Sequence, residues 1–96
     1  MPAQVLKVSA RVRALIRQLH PNLKRKVRSA LTDILEDPAC GKPLKKELEG
    51  YRSLRIGWYR IIYRPIGGGT EIVAIGPRRS IYEETAYQIL RGRARD

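Results

Sequence analysis

Apolar positions recur along this chain at two spacings, and the change of period divides it. Val12, Leu15, Ile16 and Leu19 form one stripe at helical spacing, with Ser9 placed to cap it, so a helix is expected over residues 9–19. Residues 3–8 read as a short first strand. His20-Pro21-Asn22 reads as a break, because proline clashes with the preceding helical turn. A second stripe of Leu23, Val27, Ala30, Leu31, Ile34 and Leu35 predicts a helix over 23–37, ended by Pro38. Two amphipathic helices joined by so short a break make an antiparallel hairpin. Residues 39–50 are polar and rich in breakers, which predicts a connecting loop.

From residue 51 the spacing falls to two. Residues 51–56 and 58–64 are rich in aromatic and branched side chains and flank Gly57, predicting a tight hairpin. Residues 66–70 read as a flexible turn and 71–75 as a last, mostly buried strand. Ser80 with Glu83 matches a capping box opening a helix to about residue 90, and the charged tail 91–96 reads as frayed. The expected fold is α+β. An N-terminal strand and a helical hairpin pack on an antiparallel sheet of about four strands, followed by a C-terminal helix, in one domain over 1–96. One sheet face is left open for function.

Charge changes the picture most. Twenty Lys and Arg against nine Asp and Glu leave a formal +11 and a pI of about 10.5. A field of that sign draws in nucleic acid, an acidic membrane face or an acidic protein. Arg outnumbers Lys fourteen to six, and its planar fork suits phosphate, which leans toward nucleic acid. Apolar residues at 43% argue against disorder. Cys40 is the single cysteine, so no internal disulfide forms and a reducing compartment fits. No signal peptide or spanning segment is read, so a cytoplasmic protein away from membranes is expected.

The hairpin concentrates the candidate chemistry. With Ile56-Gly57 as the central turn residues, Arg55 pairs with Trp58, Ser53 with Arg60 and Tyr51 with Ile62. One face then carries Tyr51, Ser53, Arg55, Trp58, Arg60 and Ile62. The other carries Leu54, Ile56, Tyr59, Ile61 and Tyr63, the apolar set that packs on the helices. Arg52 falls on the core side near a strand end, from which it can snorkel outward. Arginines beside aromatic rings can grip phosphate and stack bases. The alternative is that these arginines simply solvate an exposed sheet. Parity along the last strand carries Arg78 to a sheet face as well, if Gly76-Pro77 leave it unchanged.

Standard catalytic sets are absent from the sequence. One His and one Cys make no zinc constellation, and no metal or cofactor is expected. His20 reads as a turn residue, and Gly67-Gly68-Gly69 lacks the Lys-Ser/Thr of a P-loop.

The segment 48–63, Leu-Glu-Gly-Tyr-Arg-Ser-Leu-Arg-Ile-Gly-Trp-Tyr-Arg-Ile-Ile-Tyr, resembles the central hairpin of the RelE/ParE superfamily of type II toxin–antitoxin toxins. Residues 75–82, Ile-Gly-Pro-Arg-Arg-Ser-Ile-Tyr, resemble its closing motif. The resemblance favours the RelE-like branch and implies a metal-independent endoribonuclease that cuts translated mRNA at the ribosome, the ribose 2′-hydroxyl attacking the adjacent phosphate. It implies that Arg60 stabilises transition-state charge and that Arg55 assists proton abstraction or charge stabilisation. Arg78, or alternatively Arg79, protonates or neutralises the leaving 5′-oxygen, and Tyr82 stacks on a base or assists proton transfer. Arg52, Ser53, Trp58, Arg79, Lys45 and Lys46 complete the expected RNA-binding set. The sequence departs from RelE where two lysines precede the glycine turn: those positions hold Ser53 and Arg55. A guanidinium stays protonated and makes a poor base. The partner implied is an acidic antitoxin, in a hetero-oligomer. Two other readings stay open: a ParE-like inhibitor of DNA gyrase without nuclease chemistry, and a non-toxic basic RNA-binding module.

Overall fold

The computed structural model describes residues 5–94. Strand β1 (Val5–Val8) leads into α1 (Ala10–Gln18) and α2 (Pro21–Glu36). A two-residue strand β2 (Lys42–Pro43) and a 3₁₀ turn (Lys46–Leu48) follow. Then come β3 (Arg52–Ile56), β4 (Tyr59–Ile66), β5 (Gly69–Pro77) and α3 (Arg78–Ala94). The sequence expectation for residues 3–4 lies outside the described residues.

The helix ends follow capping chemistry. Ser9 Oγ accepts from Val12 N at 3.2 Å, as its position predicts. The break at His20-Pro21-Asn22 is instead the start of α2. His20 Nδ1 accepts from Asn22 N at 3.2 Å, and Pro21 occupies the first turn, where its missing N–H costs nothing. The expected capping box fails for a related reason. Arg78 N donates to the Trp58 carbonyl at 2.9 Å, so α3 begins directly off the strand and Ser80 lies inside its first turn. α3 runs past residue 91 to Ala94, and 95–96 lie outside the described residues.

The sheet order is β1-β5-β4-β3-β2. β1 runs parallel to β5 and the other pairs are antiparallel, so the sheet is mixed, with five strands where about four antiparallel ones were expected. The loop expected over 39–50 contains both β2 and the 3₁₀ turn. The expected hairpin turn is displaced by one residue, to Gly57-Trp58, with Gly57 at φ 59°. Arg55 therefore pairs with Arg60, Ser53 with Ile62 and Leu54 with Ile61. Moving the turn shifts every partner by two places, and a shift of two preserves the alternation, so the two faces keep their predicted members. A bulge at Val73 leaves Tyr63 opposite Ile72.

Both faces of the sheet are covered. Val12, Val27, Ala30 and Ile34 of the helical hairpin form one core with Ile61, Tyr63, Ile72 and Ile75. Burying each such large side chain contributes about 1.5–3 kcal/mol. The second face, expected to be open, is partly roofed by α3. Ile81 and Thr85 are buried there, and Ile62 and Ser53 are only 0% and 2% exposed. What remains accessible is a cleft where α3, β4 and the β2 region meet.

Candidate functional site

Two framework side chains hold the segment before β2. The Tyr63 hydroxyl donates to the Pro38 carbonyl and accepts from Gly41 N, both at 2.8 Å. Burial pushes this phenol up to about 12, with the Gly41 N–H working in the opposite direction. Arg52, the cross-strand partner of Tyr63, donates through Nη1 to the Gly41 carbonyl at 2.7 Å and the Ala39 carbonyl at 3.3 Å. Gly41 has no room for a side chain, since a Cβ would lie 2.5 Å from the Tyr63 Oη. The chain therefore enters β2 with its amide and carbonyl both fastened.

Beyond that anchor, β2 and the 3₁₀ turn bring Lys42 and Lys45 to the rim of a cleft of ≈ 360 Å³. Arg60 from β4 and Arg78 and Tyr82 from α3 line the same cleft, with Leu44 and Leu48 as its apolar part. Four cations and one phenol thus surround a cavity whose lining holds no carboxylate. Ion pairs formed elsewhere, Lys7–Glu71 at 3.9 Å and Arg64–Glu71 at 2.8 Å, leave these four cations unpaired among the described residues. Arg60 Nε is buried and meets no acceptor there. An unpartnered buried donor costs about 1–3 kcal/mol, and more when charged. The Tyr82 hydroxyl is held by Ser53 Oγ at 2.9 Å.

This cleft gathers Arg60, Arg78, Tyr82 and Lys45 from the sequence-predicted set, with Ser53 beneath Tyr82. The others lie elsewhere. Arg55 is exposed beyond the end of β2 and borders a separate depression with Lys26, Ser29 and Asp33 of α2. Arg52 is engaged by the loop carbonyls rather than snorkelling to solvent. Trp58, 87% exposed in the hairpin turn, stands apart from the cleft. Arg79 is exposed outside its lining, as is Lys46, which opens the 3₁₀ turn at φ 56°. Lys42 was missed: a two-residue strand shows no period, so nothing marked it as facing the same way as Ser53.

A family model for the ParE toxin of type II toxin–antitoxin systems matches residues 6–82. The chain belongs to this family. The toxin has the RelE fold as well. It is similar to a chain of the RelBE2 toxin–antitoxin complex of Mycobacterium tuberculosis, at 28% identity and TM-score 0.68, covering 81% of the toxin and 100% of that chain. It also resembles the isolated Escherichia coli RelE toxin, at 20% identity and TM-score 0.69, covering 91% and 99%. The archaeal RelE–RelB complex of Pyrococcus horikoshii gives 20% identity and TM-score 0.66, covering 79% and 96%. No curated protein sequence matches the toxin. It is thus the toxin of a type II toxin–antitoxin system, in the RelE/ParE superfamily.

Proposed function

We propose that the toxin is an endoribonuclease that cleaves translated mRNA at the ribosome, in the cytoplasm, and is silenced by an acidic antitoxin. The observation that carries this reading is Arg60, whose buried Nε faces no protein acceptor inside a cleft of four cations and one phenol. A phosphate entering the cleft supplies that acceptor. As the 2′-oxygen attacks phosphorus, negative charge grows on the non-bridging oxygens, and preorganised donors there contribute about 3–4 kcal/mol each. In this reading Arg60 carries that task, and Arg78 and Tyr82, from the start of α3, act on the leaving group. On the same reading the charge stabilisation comes from side chains, Arg60 and Arg78 among them. A net charge of +11 suits an acidic antitoxin, and several structural neighbours are toxin–antitoxin complexes. No described helix is long and apolar enough to cross a membrane.

The test is to induce the toxin in cells and map new 5′ ends on abundant transcripts beside an Arg60→Ala control. Ends clustered within translated frames, reduced about 10²–10³-fold in the control, support the nuclease. A second reading, binding of DNA gyrase without chemistry, is favoured by the match to the ParE family model. Growth arrest with DNA-damage signalling and no new ends would replace the first reading by the second.

A further inference from the structure

The geometry points to Lys42 as the general base of this toxin, a lysine lent by the neighbouring strand to a site whose own strand has none. The inference rests on the nuclease reading and goes beyond it by naming the group that takes the 2′-hydroxyl proton. β3 offers Ser53 and Arg55 to this face: one is a hydroxyl already bonded to Tyr82, and the other stands outside the cleft. Arg60 and Arg78 line the cleft, but a guanidinium holds its proton throughout the accessible pH range. The Tyr82 hydroxyl is engaged by Ser53 and sits on α3, beside Arg78. Two lysine amines remain, on Lys42 and Lys45.

Backbone order separates these two. Lys42 is the Cα partner of Ser53 in the β2–β3 ladder, and directly paired residues project to one face, so its side chain shares the face of Ser53, Arg60 and Tyr82. The residue before it, Gly41, has its amide tied to Tyr63 Oη and its carbonyl to Arg52 Nη1. The Lys42 backbone is thereby located from both sides, by the ladder and by the anchored loop. Lys45 lies past the ladder, at the entrance to the 3₁₀ turn. A catalytic base gains from a backbone that holds it near the reacting atom, so Lys42 is the better placed. Lys45 is left to bind phosphate.

The neutral Lys42 amine takes the 2′-hydroxyl proton, and the freed oxygen pair forms the O2′–P bond. The P–O5′ bond breaks with its electron pair on O5′, which takes the Tyr82 phenol proton. The products are a 2′,3′-cyclic phosphate and a 5′-hydroxyl, and solvent returns the proton to Tyr82 and removes the one on Lys42. Arg60 offsets charge on the non-bridging oxygens throughout.

The experiment measures single-turnover cleavage of ribosome-bound mRNA across pH by purified toxin, as wild type, Lys42→Arg, Lys42→Ala, Lys45→Arg and Arg60→Ala. Lys42→Arg keeps the charge and the exposed position, so RNA affinity and thermal midpoint stay at wild-type values. Its rate is expected to fall about 10²–10⁴-fold, and its pH profile to be flatter than that of wild type. Added small primary amines are expected to restore part of the Lys42→Ala rate, and Lys45→Arg, at the phosphate-binding rim, to change the rate without flattening the pH profile. If Lys42→Arg cleaves with the wild-type rate and pH profile while Arg60→Ala is inactive, Lys42 is not the base, and the nuclease reading stands. If the loss and the flattened profile appear in Lys45→Arg instead, the assignment is likewise overturned. If wild type leaves mRNA intact, the nuclease reading falls and Lys42 falls with it.

Discussion

Tyr63→Phe isolates one hydroxyl whose partners are known at both ends. It removes the acceptor of the Gly41 amide and the donor to the Pro38 carbonyl, each at 2.8 Å, while keeping the ring in the core. Gly41 is buried, so its N–H is left without a partner at a cost of about 1–3 kcal/mol. Pro38 is half-exposed, and its carbonyl can turn to water at little further cost. For a domain of this size the loss takes a visible fraction of a total of roughly 5–14 kcal/mol. Each kcal/mol lowers the thermal midpoint by about 4–8 °C. Urea titration should show a lower midpoint with an unchanged slope, because the core ring is retained.

The same hydroxyl supplies a pH signature. The folded state raises the phenol from 10.0 to about 12, so folding favours the neutral form. This contribution is fully present below the unfolded value and is lost as pH rises through the folded one, since above pH 10.0 the unfolded chain ionises first. Two units amount to at most roughly 3 kcal/mol. Tyr63→Phe should remove that alkaline loss and the latest-titrating tyrosinate absorbance together. Arg52 holds the same loop, so Arg52→Ala and Tyr63→Phe should couple by about 0.5–3 kcal/mol instead of adding. A Tyr63→Phe protein with the wild-type urea midpoint and the wild-type alkaline loss would refute the anchoring role.

Two further outcomes are expected. If Lys42, Lys45, Arg60 and Arg78 each displace one counterion, log affinity for single-stranded RNA should fall against log salt with a slope of about −3, and Arg60→Ala should flatten it by about 0.7. In Gly69→Ala the new Cβ would overlap the Val5 carbonyl oxygen across the β1–β5 pair. It should cost about 1–3 kcal/mol and abolish hydrogen-exchange protection of β1, with little change in the β3–β4 amides.

How much of this was legible in the sequence depended on period. Long stripes such as Val27, Ala30 and Ile34 in α2 read correctly because burial repeats at helical spacing. The hairpin faces survived a misplaced turn because the displacement preserved alternation. Whatever lacked a period was lost. β2 is two residues long, and α3 joins β5 without a break at Pro77-Arg78, so its cover of the second face showed in no pattern. The parallel pairing of β1 with β5 was equally hidden, since a four-residue strand carries no sign of its direction.

The arginines near the sheet show what patterning alone cannot decide. All of them fit a solvated basic face, yet the structure treats them differently. Arg55 and Arg79 are exposed, as solvation requires. Arg64 is engaged by Glu71, whose hydrogen bond raises its pKa, and Arg52 by two loop carbonyls. Arg60 fits neither description, because its Nε is buried without a protein acceptor. A surface that only needed solubility would leave that nitrogen in water, where it incurs no desolvation cost. Its burial beside Lys42, Lys45, Arg78 and Tyr82 makes sense if an anion completes the cleft. Arg60→Leu therefore separates the two descriptions. If the donor is held in readiness for an anion, removing it should stabilise the free toxin or leave it unchanged while abolishing its effect on cells. A strongly destabilised Arg60→Leu protein would show that the guanidinium serves the fold.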